Sequence, residues 1–181
     1  MQAAQSVTNA RRHWLQQAAR MGATVAMFGM LTACGFQLRK APDLPFKTLY
    51  TSASEASPFG QLLRRNLKSL PNLEVISDVR EIERAEVILD IIQELQEKVI
   101  LSRTSTGTVR EFTLRLRVRF KLRTRNGDEL IPDSEIVQER EISFSETAAL
   151  SKESEEQLLY RDMRSDLVQQ LIRRLAAARL P

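Results

Sequence analysis

The sequence predicts an α+β fold, a two-layer sandwich in which a mostly antiparallel four-stranded sheet packs against two helices. Three observations predict it. In residues 111–125, Phe112, Leu114, Leu116, Val118, Phe120 and Leu122 alternate with Arg115, Arg117, Arg119, Lys121, Arg123 and Arg125, the two-residue period of a strand with one buried face. Asn126-Gly127 follows at once, a pair that favours the tight return of a hairpin. Two other stretches, 58–70 and 152–178, repeat their apolar residues at helical spacing. A sheet with one apolar face must be covered, and two amphipathic helices can cover it.

The first 33 residues stand apart from this domain. Arg11, Arg12 and Arg20 precede an apolar run over 21–32, and no acidic residue occurs before Asp43. This is the arrangement of an export signal. Twelve apolar residues are too few for an ordinary transmembrane helix, which needs about 20. The run closes on Leu31-Thr32-Ala33-Cys34, and Cys34 is the chain's single cysteine. That tetrad resembles the lipobox of bacterial lipoprotein precursors, which implies cleavage before Cys34, lipidation of its sulfur and attachment to a membrane. Gly35 follows, with no Asp in that place. By resemblance to lipoprotein sorting in Gram-negative bacteria, this favours the outer membrane, with the domain on the periplasmic side.

Cleavage there changes the charge and the chemistry of what remains. The chain has 27 Lys and Arg against 23 Asp and Glu, but the three leader arginines depart with the leader, so 24 cations face 23 acids. The mature domain is nearly neutral, which removes the case for nucleic-acid binding that a net charge of +4 suggests. His13, the one histidine, departs too. Ser-His-Asp and Cys-His catalysis, zinc sites built from His or Cys and internal disulfides are thereby excluded. A carboxylate pair could still hydrolyse a glycoside, but no pair is singled out by the sequence. The six glycines are scattered and form no phosphate loop. No cofactor or metal is implied.

In order, residues 34–46 read as a lipidated tether with two prolines, and 47–181 as the folded domain. Residues 47–53 form a short strand. Ser57-Pro58 starts a helix over 58–70, with Ser57 as N-cap and Pro58 where its missing N–H costs nothing. Phe59, Leu62, Leu63, Leu67 and Leu70 form its apolar face, and Pro71 stops it. Residues 73–77 are a second short strand. Residues 82–101 carry two patterns at once. A helical stripe runs through Ile82, Ala85, Ile88, Leu89, Ile92, Leu95 and Val99, while Val87, Leu89 and Ile91 alternate and Val99-Ile100-Leu101 is β-rich. We read a strand over 86–103, pairing antiparallel with 108–125.

Register decides what faces the arginines. A two-residue loop at Asn126-Gly127 would set Glu139 and Glu141 against the apolar face. A three-residue loop over 126–128, with Gly127 left-handed, pairs Ile136 with Val118 and Ile142 with Phe112, and sets Glu135 and Glu139 opposite Arg119 and Arg115. The second register satisfies both faces. Pro132 is expected to introduce a bulge near the turn and shift the first pairs. Arg117, Lys121 and Arg123 then face Val137, Asp133 and Ile131, a surplus of charge that an anionic ligand or a partner could answer. Ser151 caps a last helix over 152–178, whose stripe of Tyr160, Met163, Leu167, Leu171, Leu175 and Ala178 belongs to the core. Lys152, just after that cap, would lie where free backbone N–H groups favour an anion.

The element order β-α-β-β-β-β-α behind a lipobox resembles the LPS-assembly lipoprotein family, LptE (RlpB). The similarity runs through Cys34-Gly35-Phe36-Gln37-Leu38-Arg39, through Thr106-Gly107-Thr108-Val109-Arg110-Glu111-Phe112 and the basic strand, and through Gln169-Gln170-Leu171-Ile172-Arg173-Arg174-Leu175. The resemblance implies a lipid-anchored outer-membrane protein that plugs and helps assemble the LptD β-barrel and takes part in moving lipopolysaccharide to the outer leaflet. It also implies basic contacts for the ligand's phosphates at Arg103, before the long strand, and at Lys152. A periplasm-facing lipoprotein acting as an adaptor or cell-wall spacer is the rival reading.

Overall fold

The computed structural model describes residues 42–180. The leader, Cys34, the tether as far as residue 41, and Pro181 lie outside the described residues. In chain order the elements are β1 (Thr48–Thr51), α1 (Pro58–Lys68), β2 (Glu74–Ile76), a 3-10 turn (Val79–Arg84), β3 (Val87–Arg103), β4 (Val109–Thr124), β5 (Glu129–Ser143), a second 3-10 turn (Glu146–Ala148) and α2 (Ala149–Ala176). The strands form one five-stranded sheet in the order β2-β1-β3-β4-β5. The four-stranded expectation is one strand short, because β2 joins β1 in parallel through only three residue pairs. β1 also runs parallel to the start of β3, and β3, β4 and β5 are antiparallel.

Both helices cover the same side of the sheet. Ser57 caps α1 by accepting from the Gly60 N–H at 3.0 Å, and Phe59, Leu63 and Leu67 are fully buried beneath it. Gly60 permits a close approach, since a Cβ there would lie 2.1 Å from the Ser54 carbonyl oxygen. Leu114, Leu116, Val118, Phe120 and Leu122 of β4 meet Tyr160, Met163, Leu167, Leu171 and Leu175 of α2 in one continuous core. Phe46 is buried in it and Leu44 packs against it, although both fall within the stretch read as tether.

Residues 87–103 are a strand, and the helical stripe is coincidental. The ladder to β4 runs from Val87↔Thr124 to Arg103↔Val109. Leu89 and Ile91, opposite Leu122 and Phe120, point into the core, whereas the polar stretch beyond them lies at an edge that β1 no longer borders. On the other side the register is the one that satisfies both faces: Phe112↔Ile142, Arg115↔Glu139, Val118↔Ile136 and Arg119↔Glu135. Gly127 has φ +103°. The turn itself differs, closing one residue earlier, with the Thr124 N–H donating to the Asp128 carbonyl at 2.8 Å. Two irregularities on either side of Leu122 absorb the difference, so that Leu122 meets Ile131 and Arg123 meets Glu129. Pro132, which has no N–H to give to a ladder, lies within the first of these breaks.

The last helix corrects a further expectation. It begins at Ala149, with Ala148 at the N-cap and no capping side chain. Ser151 sits inside the first turn and donates its hydroxyl back to the Ala148 carbonyl at 2.8 Å. A Ser in a first turn can bond backward as readily as it caps, and sequence does not separate the two.

Candidate functional site

The face of the sheet away from the helices carries the basic strand. Its cations are answered from alternate sides. Arg115 pairs with Glu139 at 2.5 Å and Arg119 with Asp133 at 2.5 Å, both on β5, while Arg117 pairs with Glu97 at 2.8 Å and Arg123 with Asp90 at 2.9 Å, both on β3. Asp133 reaches Arg119 because the bulge at Pro132 moves it off the position opposite Lys121. Its hydrogen bond and charge, with a smaller contribution from Glu135, raise the Arg119 guanidinium above its usual value. The surplus assigned to Arg117 and Arg123 is therefore met by acids of β3, a strand left out when only β5 was weighed. Lys121 makes no ion pair among the described residues and lies opposite Asp90.

At the far end of the sheet, the β3–β4 hairpin, the end of β5 and the start of α2 come together. The turn between β3 and β4 is closed by the Thr104 N–H donating to the Thr108 carbonyl at 2.8 Å, with Gly107 at φ +89°. Arg103 enters this turn, exposed, and donates to the Gly107 carbonyl at 3.1 Å. Ser102 donates to Glu111 at 2.6 Å, Glu111 stands opposite Ser143, and Ser143 accepts from the Lys152 ammonium at 3.0 Å. Arg103 and Lys152 thus belong to the same end of the sheet without touching. Lys152 also pairs with Glu155 at 2.8 Å. It lies four residues past the N-cap, so the helix terminus gives it no special claim on an anion.

Between α2 and this end of the sheet is a cleft of about 310 Å³ lined by Lys98, Phe112, Phe144, Lys152, Glu153 and Glu156, among others. Phe112 and Phe144 meet edge to face at 5.5 Å. The Lys98 ammonium sits 4.4 Å above the Phe112 ring and pairs with Glu156 at 2.6 Å. Sequence reasoning missed Lys98, because a lysine within a strand carries no signal of the face it takes. Deeper along α2, Tyr160 donates to the Glu97 carbonyl at 2.6 Å. Burial, and then the charges of Glu156 and Glu97, push its phenol up to about 12. Among the described residues no group of His, Cys, Asp and Glu is arranged to hold a metal ion.

The LptE family, described as lipopolysaccharide-assembly, matches residues 46–175. The chain belongs to the LptE family. No curated protein matches it. Among solved structures it is similar to lipoprotein B from Nitrosomonas europaea, at 35% identity over 79% of this chain and 91% of that one, with a TM-score of 0.67. Rare lipoprotein B from Shewanella oneidensis (24% identity, 72% and 94% of the two chains, TM-score 0.60) and a minor lipoprotein from Acinetobacter baumannii (18%, 77% and 100%, TM-score 0.59) share the fold. Membership in LptE assigns the chain to lipopolysaccharide assembly, and the β3–β4 turn and start of α2 both lie within the matched residues.

Proposed function

We propose that this protein is exported, lipidated at Cys34 and held on the periplasmic side of the outer membrane, where it plugs and helps assemble an LptD-like β-barrel and passes lipopolysaccharide toward the outer leaflet. The family match over residues 46–175 carries this reading. The Leu31-Thr32-Ala33-Cys34 motif supports the anchor.

Arg103 leads the contacts proposed for the ligand's phosphates. It is exposed, and its guanidinium is committed only to a backbone carbonyl, leaving donors for a bidentate phosphate contact. Lys152 is the second, and it must exchange Glu155 for the phosphate. Arg117 and Arg123 would have to leave Glu97 and Asp90. Arg103→Glu with Lys152→Glu is expected to weaken lipopolysaccharide binding by at least about tenfold, the size of one lost charge-assisted contact, with the urea midpoint retained. Unchanged binding by the folded double variant removes both residues from the site.

The anchor and the partner are tested together by detergent extraction of native outer membranes, affinity capture of this protein and mass analysis of what accompanies it. A large barrel in near-stoichiometric amount, with acyl chains on Cys34, is the expected result. Recovery of the acylated protein alone would favour the adaptor reading.

A further inference from the structure

The turn between β4 and β5 carries the chain's single Asn-Gly step, Asn126-Gly127, and both residues are exposed. The Gly127 N–H donates to the Thr124 carbonyl at 3.1 Å, and Gly127 has φ +103°, the pattern of a short hairpin loop that ends on a left-handed glycine. Around this loop the Thr124 hydroxyl donates to the Asp128 carboxylate at 3.0 Å and accepts from the Asp128 N–H at 3.0 Å. An asparagine carries its side-chain carbonyl carbon within ring-closing distance of the next residue's backbone nitrogen. Glycine, with no side chain, leaves that approach open. Asn66 and Asn72, the other asparagines among the described residues, each precede a leucine whose branched side chain crowds it.

We propose that Asn126 is a site of spontaneous deamidation gated by opening of this turn. The Gly127 backbone nitrogen gives its proton to water or hydroxide and attacks Asn126 Cγ. The new N–C bond closes a succinimide ring, the bond to the side-chain nitrogen breaks, and ammonia leaves with a proton from solvent. Water then opens the ring at one carbonyl or the other, leaving an aspartyl or an isoaspartyl residue. In the closed turn the Gly127 N–H is engaged by the Thr124 carbonyl, which holds the nitrogen away from the attack. Opening releases it, and the hydrogen bonds between Thr124 and Asp128 oppose that opening, a local fluctuation of the kind that exposed hairpin ends undergo. The product bears on the fold. Isoaspartate routes the main chain through the former side chain and lengthens it by a carbon, so Thr124 and Asp128 no longer meet across the same loop. The new carboxylate also arrives beside Asp128 and Glu129, and the hairpin frays from the end where Arg123 meets Glu129.

The test incubates the full-length lipoprotein in detergent at neutral and at mildly alkaline pH and follows each asparagine by peptide mapping. Asn126 is expected to lose its amide ahead of Asn66 and Asn72, faster at the higher pH, with aspartyl and isoaspartyl products both present. Thr124→Val keeps the branched shape that suits a strand and removes both hydroxyl bonds. It is expected to raise the rate at Asn126 about fivefold, the shift in opening that one net hydrogen bond supplies. Hydrogen exchange at the Gly127 amide is expected to quicken by the same factor, because both processes draw on the open turn. Asp128→Ala, which removes one of the two bonds, serves if Thr124→Val does not fold. Retention of the Asn126 amide for as long as those of Asn66 and Asn72 overturns the site. An unchanged rate in the variants, or one that departs from the exchange at Gly127, overturns the gating.

Discussion

Tyr160 ties α2 to the backbone of β3 through a single hydroxyl, and the environment that makes this contact also fixes its protonation. The phenol is held neutral up to about pH 12 by burial and by Glu156 and Glu97, whereas in the unfolded chain it ionises near pH 10. Because the folded value is the higher one, the contribution is fully present below about pH 10 and is lost as pH rises toward about 12. Stability should therefore fall across that window, and Tyr160→Phe should flatten the fall. The same substitution removes the hydrogen bond to the Glu97 carbonyl and should cost about 1 kcal/mol at neutral pH. Urea midpoints of both proteins from pH 7 to pH 12 check this; parallel curves for the two would mean that another group sets the alkaline limit.

Among the elements, β4 is the strand whose sequence said most. Its alternation separates the two faces, and only one register with β5 buries Ile136 and Ile142 while facing Glu135 and Glu139 outward. Register was legible because a one-residue slip reverses every side chain. The turn was less so, since two bulges allow a different closure to reach the same pairing. β2 was harder still to place, because three residues contain too little period to count as a sheet member. The partners of Arg117 and Arg123 were missed for a geometric reason: a central strand has two neighbours, and charge read against one of them looks unanswered. The candidate site was legible only in part: the resemblance pointed to Arg103, and Lys98 carried no signal until the topology brought it to the same end of the sheet. The two sets of ion pairs also differ in exposure. Side chains of the β3 pairs are 24–33% exposed and those of the β5 pairs 37–50%, so solvent screens the β5 pairs more strongly. Double-mutant cycles should give Arg117–Glu97 a coupling nearer the upper end of about 0.2–1 kcal/mol and Arg115–Glu139 one nearer the lower end. The opposite order, or a stronger salt dependence on the β3 side, would contradict that account.

On the scale of the whole molecule, the two faces of the sheet do different things and the end of the sheet does a third. One face is sealed by α1 and α2, the other is a lattice of ion pairs in which Arg115, Arg117, Arg119 and Arg123 are paired and Lys121 is not, and Arg103 lies with the exposed Val99, Ile100 and Leu101 near the β3–β4 turn. A polyanionic amphiphile should accordingly bind at the end and not across the basic face, even though that face supplies most of the arginines. Lys121→Glu separates these possibilities, since Lys121 lies in the middle of the face and breaks no ion pair when replaced. Placing a carboxylate opposite Asp90 should cost about 0.5 kcal/mol and leave lipopolysaccharide affinity within about twofold, whereas Arg103→Glu should lower it about tenfold. The comparison is made by equilibrium binding at two salt concentrations, because a diffuse response to the face would be screened by salt more than a direct phosphate contact. Equal losses from the two substitutions would move the ligand from the hairpin onto the charged face, and the ion pairs of β4 would then have to open to receive it.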